Sequence, residues 1–177
     1  NVTTAPSAGG AVYLAETHFE LDDERQQIRR ELEARGLTVL PAGDLPSRKP
    51  EEFKQAVRAA LAQCDLSVHM IAAKRSLVLP NEVEDTVYLQ NQMAAERSAG
   101  GGLLRLIWMP PDLEAPAEDQ RQRDFVEKVR RDPEAQKGAE FLRVPLQGLI
   151  GRIHDTLQKQ RDAKARKSKE AGIPEER

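Results

Sequence analysis

Three polar side chains recur at helical spacing within residues 82–98, EVEDTVYLQNQMAAERS. Tyr88, Gln92 and Glu96 stand at i, i+4 and i+8, so a helix would carry them on one face. A phenol, an amide and a carboxylate on one face can bind and orient a polar ligand. A solvated helix face has the same composition, so the spacing by itself leaves both interpretations open.

Other familiar catalytic and phosphate-binding motifs are absent from the sequence. No GxGxxG, GxxxxGK[ST] or GxSxG pattern occurs. The three histidines, His18, His69 and His154, are widely spaced, and Cys64 is the single cysteine. We therefore expect no metal site, no disulfide and no cofactor. A lone thiol is typical of a reducing compartment, which predicts a cytoplasmic protein.

The composition argues against two classes of partner. The chain has 177 residues, of which 39% are hydrophobic, and its formal net charge is -2. Because the charges are nearly balanced, we expect no binding to nucleic acid or to an anionic membrane. No stretch approaches the roughly 20 apolar residues of a membrane span.

Short apolar runs alternate with amphipathic stretches, which is typical of an α/β domain with a doubly wound parallel sheet. The predicted strands are residues 11–15, 37–40, 66–71 and 103–109. The predicted helices are residues 24–35, 51–63, 82–98 and 119–131. Asp22 or Asp23 is expected to cap the first helix, and Asn81 the third. Residues 133–142 read as a shorter helix or a loop, and residues 144–158 as a helix or as a short strand and a helix.

This pattern predicts a single domain over residues 11–158. Residues 1–10 read as a flexible leader. Residues 159–177 read as a charged linker or frayed helix that leads toward a further domain. Ligands of doubly wound sheets bind beyond the carboxyl ends of the strands. There we expect the loops 16–20, 41–50 and 74–81, together with the start of the helix predicted over residues 82–98.

The order and spacing of four segments resemble those of a bacterial TIR domain over residues 11–153. The segments are VYLAETHFELDDERQQIRRELEARGLTVLP, EEFKQAVRAALAQCDLSVHMI, VYLQNQMAAER and LRLIWMPP. The resemblance implies a flavodoxin-like fold with a sheet of about five strands. It also implies cleavage of the nicotinamide–ribose bond of NAD+, giving ADP-ribose or a cyclic variant, in antiphage or cell-death defence. NAD+ would be a substrate, and self-association through TIR surfaces, with a sensor domain or partner protein, would activate the enzyme.

The catalytic group implied by the resemblance is a glutamate on the helix after the third strand. Its carboxylate stabilises the positive charge that develops on the ribose as nicotinamide leaves. The matching position is Gln92, the third residue of a QNQ run where relatives resemble QNE. The chain is then either a Glu→Gln variant, made to trap substrate or protect the host, or a natural scaffold without activity. A shift of one turn would give the role to Glu96, Glu82 or Glu84.

The resemblance further implies a substrate-binding role for residues of two loops and of the same helix. These residues are Thr17, His18, Phe19, Asp44, Leu45 and Tyr88. Phe19 would stack on a base or on nicotinamide, although a place as a lid on the core fits its sequence equally well. Two other functions stay open: a self-association module without chemistry, and a nucleoside deoxyribosyltransferase-like hydrolase, which shares the fold and an essential glutamate.

Overall fold

Strands and helices alternate along the chain in the computed structural model, which describes residues 10–131 and 138–170. In chain order they are β1 Ala11–Leu14, α1 Asp22–Ala34, β2 Thr38–Leu40, α2 Pro50–Leu61, β3 Leu66–Met70, α3 Thr86–Ala99, β4 Leu104–Trp108, α4 Gln120–Arg131, β5 Ala139–Leu142 and α5 Leu146–Glu170. None of the described helices is both long enough and apolar enough to cross a membrane.

The five strands pair in parallel and form one sheet in the order β2-β1-β3-β4-β5. From β1 the chain moves to one side to form β2, and then to the other side to form β3, β4 and β5. This is the strand order of flavodoxin-like folds, so the predicted fold class is confirmed. The order reverses between β1 and β3, and this switch point is where such sheets open a crevice at their carboxyl edge.

Alternate residues of each strand face opposite sides of the sheet, and helices cover both sides. Val12 and Leu14 of β1 pack in one core with side chains of α1 and α5. Ala11 and Tyr13 pack on the other side with side chains of α2 and α3. Trp108 of β4 lies on the α1–α5 side, where its indole Nε1 donates a hydrogen bond to the carbonyl of Val144 at 2.7 Å. Burial on both faces explains the continuous apolar runs that predicted the strands.

The face beneath α2, α3 and α4 also carries buried polar side chains. Ser67 and His69 of β3 and Arg105 of β4 are almost fully buried. The ring of His69 lies 6.3 Å from that of Tyr13, and its Nε2 is 2.9 Å from the Ser67 hydroxyl. Its Nδ1 is buried without a hydrogen-bond partner in the described part of the chain.

Helix α3 begins at Thr86 and is capped by Asp85, so the predicted start at residue 82 and the predicted cap are wrong. The Asp85 carboxylate accepts hydrogen bonds from the backbone N–H groups of Tyr88, at 3.2 Å, and Ser76, at 2.7 Å. An antiparallel bridge between residues 78 and 85 holds the preceding segment as a loop, in which Asn81 has a φ of 62°. An aspartate with two backbone partners therefore sets the boundary, rather than the apolar period.

The predicted caps of α1 are also wrong. A 3-10 turn, Phe19–Leu21, leads directly into α1, and Leu21 occupies the N-cap position without a side-chain hydrogen bond. Asp22 and Asp23 lie in the first turn instead. Carboxylates at this position still stabilise the helix, because they face its partly positive N-terminus.

Of the region predicted as a short helix or loop over residues 133–142, residues 133–137 lie outside the described residues, and the rest contains β5, an edge strand of the sheet. Helix α5 continues to Glu170 and so includes the first part of the predicted charged tail. Gln160 Nε2 donates to the carbonyl of Asp65 at 2.8 Å, and Lys164 Nζ lies 3.2 Å from the Asp65 carboxylate. The predicted leader up to residue 9 and the end of the tail, residues 171–177, lie outside the described residues.

Candidate active site

The segment that follows β1 lies at the switch point of the sheet and is held by its neighbours on several sides. The backbone N–H of Ala15 donates to the carbonyl of Val68 at 3.0 Å. Two residues later, the hydroxyl of Thr17 donates to the carbonyl of Met70 at 2.9 Å. Both contacts join the end of β1 to β3, so the carboxyl edge is ordered where a ligand of this fold would bind.

Arg25 of α1 holds the same segment from the other face of the sheet. Its Nε donates to the carbonyl of Ala15 at 3.0 Å, and its Nη2 to that of Leu14 at 2.9 Å. Burial lowers the pKa of Arg25, but a guanidinium group stays protonated in proteins. The carbonyl groups at the end of β1 therefore face a fixed positive charge.

The side chain of Gln90 in α3 is completely buried and binds the segment that follows β1. Its Oε1 accepts hydrogen bonds from the Tyr13 hydroxyl at 2.7 Å and from the backbone N–H of Glu16 at 2.9 Å. Its Nε2 donates to the carbonyls of Glu16 and Thr86, both at 3.0 Å. Every donor and acceptor site of the amide is thus used.

The side chain of Glu16 is the carboxylate that this arrangement fixes. Its Oε2 accepts a hydrogen bond from the backbone N–H of Leu45 at 3.1 Å, while Oε1 accepts none from the described residues. Burial raises the pKa of Glu16, and the charges of Asp44 and Asp22 act in the same direction. The Leu45 N–H and the charge of Arg25 oppose that shift. Glu16 is therefore a half-buried carboxyl group, one oxygen of which makes no hydrogen bond to the described residues.

The predicted substrate-binding residues of the first loop lie beside Glu16. The ring centroids of His18 and Phe19 are 4.2 Å apart, at an interplanar angle of 32°. His18 Nδ1 accepts a hydrogen bond from the backbone N–H of Glu20 at 3.1 Å. Phe19 is 77% exposed, so it does not act as a lid on the core. Thr17, by contrast, uses its hydroxyl to anchor the loop to β3.

The second predicted loop reaches the same place through Leu45. The side chain of Leu45 is buried in the core on the α2–α3 side, and its N–H contacts the Glu16 carboxylate. Asp44 is exposed, and its charge contributes to the raised pKa of Glu16. The structure thus brings the Asp44–Leu45 pair to Glu16, next to Thr17 in the chain, and the binding role of these residues and of Phe19 stays a prediction.

Tyr88 lies apart from this group, between α3 and α4. Its ring packs on Phe125 with centroids 5.1 Å apart, and Lys128 Nζ lies 5.5 Å from its ring centroid. These residues line a cavity of about 370 Å³ together with Glu84 and Arg121, whose charged groups are 3.5 Å apart. Tyr88 therefore neighbours α4 rather than the segment after β1.

Gln92 is exposed and lines an open groove of about 770 Å³. Leu104, the first residue of β4, and Gly138, just before β5, line the same groove. In a parallel sheet these positions mark the amino edge, opposite to the edge that carries Glu16. Glu96 lines this groove as well. The structure therefore does not bring Gln92 to the carboxyl edge, and its catalytic role stays a prediction.

The two other carboxylates considered for the catalytic role form ion pairs. Glu82 lies 2.7 Å from Lys54 of α2, and both side chains are half-buried. Glu84 pairs with Arg121 of α4. Among the described residues, no group of three or more histidine, cysteine, aspartate or glutamate side chains could hold a metal ion.

Sequence reasoning missed Glu16, Arg25 and Gln90 as members of one site. One signal was present: Glu16 follows a buried strand almost immediately, which is where parallel sheets place functional groups. Nothing in the local sequence indicates that Gln90, rather than Gln92, faces that segment.

No protein-family model matches the chain, and no curated protein matches it. Among solved structures, it is similar to a CMP N-glycosidase of Clostridium botulinum, with 11% sequence identity and a TM-score of 0.46. The similarity covers 81% of this chain and 97% of that chain. These values describe a distant similarity in fold, and the substrate of that glycosidase is a property of that protein. Membership of the TIR family stays a prediction.

Proposed function

We propose that the chain cleaves the N-glycosidic bond of a nucleotide at the carboxyl edge of its sheet, with Glu16 as the essential carboxylate. The observation that carries the proposal is the half-buried Glu16 carboxyl group at the switch point, whose Oε2 accepts from the Leu45 N–H and whose Oε1 makes no hydrogen bond to the described residues. A carboxylate fixed in this way costs little reorganisation when a positive charge develops next to it.

The reaction follows from that geometry. The bond between the ribose C1′ and the base nitrogen breaks, and its electron pair leaves with the base. The ribose becomes an oxocarbenium ion. The half-buried Glu16 carboxylate stabilises the positive charge of that ion. Water then adds to C1′ and loses a proton, which goes to the base when the base leaves as an anion and to solvent when it leaves neutral, as nicotinamide does. An ion pair of this kind is stronger in a site of low dielectric than in bulk water.

NAD+ is the first substrate to test, because the TIR resemblance implies it. Water and NAD+ would give ADP-ribose, nicotinamide and a proton, and a cyclic product would form if a hydroxyl of the substrate replaced water. The exposed Phe19 ring next to His18 supports a stacking site for a planar base. A role in antiphage or cell-death defence rests on the resemblance alone, and phage plating on cells that express the chain tests it.

The test is release of nicotinamide from NAD+, compared with release of base from nucleoside monophosphates, by wild type, Glu16→Gln and Glu51→Gln. Glu51 is an exposed glutamate of α2 and serves as the matched control. We expect Glu16→Gln to lower the rate at least about a hundredfold, which is about 2.7 kcal/mol. Wild-type rates for Glu16→Gln, or no release from any substrate by wild type at high concentration, would overturn the proposal.

Position 92 is the competing location of the catalytic carboxylate, and one further variant separates the two. If the resemblance identifies the position correctly, Gln92→Glu raises NAD+ cleavage, most clearly at concentrations that favour self-association. If Glu16 carries the reaction, Gln92→Glu leaves the rate within about twofold of wild type. A large gain from Gln92→Glu together with no loss from Glu16→Gln would assign the reaction to position 92.

A second candidate is a TIR-like module that self-associates without chemistry. The observation that favours it is the amide at position 92, exposed on a groove that also contains Leu103, Leu104 and Ala163. Oligomers that form with concentration, with no base released by wild type or by Gln92→Glu, would support it. A monomer at all concentrations, measured by analytical ultracentrifugation, would exclude this role for the isolated chain.

A further inference from the structure

We infer that Gln90 is a positioning residue, which fixes the peptide groups of Glu16 and thereby the place of its carboxylate. The catalytic consequence of this inference rests on the proposed function. The positioning of the Glu16 peptide groups by Gln90 is independent of the proposed function, because it can be measured without a substrate.

Gln90 continues the hydrogen bonding of the sheet past the end of β1. The last backbone contact between β1 and β3 is the one from the Ala15 N–H to Val68. The next residue, Glu16, has no strand beside it, and both its N–H and its carbonyl bind the Gln90 amide instead. The amide accepts from the N–H of Glu16 and donates to its carbonyl, which are the two hydrogen bonds that a neighbouring strand would make.

The amide is itself immobile, which is what a positioning residue requires. Its Nε2 also donates to the carbonyl of Thr86, one turn earlier in α3, and its Oε1 also accepts from the hydroxyl of Tyr13 in β1. Both partners are buried. The side chain of Gln90 is therefore fixed to the helix at one end and to the sheet at the other, with Glu16 between them.

Packing alone does not require an amide at this position. An apolar side chain of similar size would fill the same volume without needing partners. Such a side chain would leave the Glu16 peptide groups and the Tyr13 hydroxyl without their hydrogen bonds. The amide is therefore needed to fix the segment that carries the Glu16 carboxylate, and not to fill the space.

The charged groups around Glu16 provide a readout that a merely structural role would not change. Arg25 and Asp22 face it from α1, and Asp44 faces it from the loop after β2. If the peptide groups of Glu16 are released, its carboxyl group gains water, and its pKa falls toward the ordinary value. A residue that contributed only to overall stability would leave that pKa unchanged in the folded protein.

The test compares Gln90→Met with Gln55→Met, a matched change of an exposed glutamine on α2. In the folded Gln90→Met protein, we expect the Glu16 amide to exchange its hydrogen at least about tenfold faster, while the Ala15 amide, bound to β3, is unchanged. Carboxyl ¹³C titration should show a lower Glu16 pKa. The kcat for base release should fall at least about tenfold, with KM within about twofold.

The inference fails if Gln90→Met leaves the Glu16 amide exchange and carboxyl pKa as in wild type, or if Gln55→Met changes them equally. Should Gln90→Met not fold, Tyr13→Phe removes one anchor of the amide, and we expect at least about threefold faster exchange at Glu16. No increase there would also overturn the inference. If Gln90→Met shows faster exchange at Glu16 but the wild type releases no base, the positioning role is retained and the proposed function is overturned.

Discussion

Acidification is expected to destabilise the folded chain through His69, a single buried imidazole beneath α3. Burial, with a smaller effect from the charge of Arg105, lowers the pKa of His69 from 6.5 to about 3 in the folded protein. In the unfolded chain the imidazole takes up a proton as the pH falls below 6.5, whereas the folded protein excludes it until about pH 3. The stability from neutral His69 is therefore complete above pH 6.5 and is lost progressively as the pH falls toward 3.

The size of the effect follows from the two pKa values. Each pH unit between them changes the free energy of unfolding by about 1.4 kcal/mol. At about pH 4.5, roughly two units below the unfolded pKa, His69 alone should remove about 3 kcal/mol. Domains of this size are typically stable by about 5–15 kcal/mol, so the loss is a large fraction of the total.

Urea unfolding at about pH 7.5 and about pH 4.5 measures the effect in wild type and in His69→Met. Methionine fills a similar volume and cannot titrate, so the variant should lose about 3 kcal/mol less than wild type between the two pH values. Carboxylates that titrate in the same range are common to both proteins and cancel in the difference. His154→Gln serves as a comparison: burial lowers the pKa of His154 as well, but its side chain is partly exposed. Its effect on the pH dependence should be smaller.

Parallel loss of stability by wild type and His69→Met would refute this reasoning. It would mean that the imidazole is protonated inside the fold, or that it is neutral in both states. Equal effects of the His69 and His154 variants would also refute it, because the large pKa shift of His69 comes from its complete burial.

Three further predictions concern parts of the fold away from Glu16. Asp85→Ala should lower the free energy of unfolding by about 1–2 kcal/mol, because it removes the N-cap of α3; an unchanged urea midpoint would contradict the capping role. Burial raises the pKa of the Cys64 thiol to about 12. A disulfide reagent at about pH 8 should therefore react with Cys64 only as fast as the protein opens. Rapid reaction with the folded protein would contradict this prediction. Arg143→Met should speed proteolysis of the loop after β4, because Arg143 Nη2 donates to carbonyl groups of that loop. Arg152→Met, which removes only a half-exposed ion pair, is the control, and equal cleavage of both variants would contradict the prediction.

The strands that the sequence predicted well are those buried on both faces. β1, β3 and β4 lie within the sheet, where continuous apolar runs are the direct result of helices on either side. The edge strand β2 was also predicted, from the apolar run over residues 37–40. β5, at the other edge, was missed because its residues Ala139, Glu140 and Phe141 are only half-buried. An edge strand does not need an apolar run, so its sequence resembles that of a loop.

The candidate site was harder to predict because its contacts join distant parts of the chain. Gln90 and Gln92 have the same side chain and differ by about 200° in direction on a helix. Helical spacing grouped Gln92 with Tyr88, whereas the orientation of α3 is set by its Asp85 cap and by apolar packing against the sheet. Two partners of Gln90, Tyr13 and Glu16, lie more than 70 residues earlier in the sequence. The local sequence pattern predicts that a helix forms. It does not predict which face of that helix contacts a strand that is distant in the sequence.

The single tryptophan of the chain, Trp108, has a practical consequence for these measurements. It is buried in the core between the sheet and the α1–α5 layer, on the face opposite to Gln90 and His69. Its fluorescence therefore reports the unfolding of that layer from one defined position, while circular dichroism reports the helices of both layers. Coincident urea transitions by the two probes would mean that both layers unfold as one cooperative unit. An earlier transition by circular dichroism, seen only in variants beneath α3, would identify the layer over Glu16 as a separately opening part of the protein.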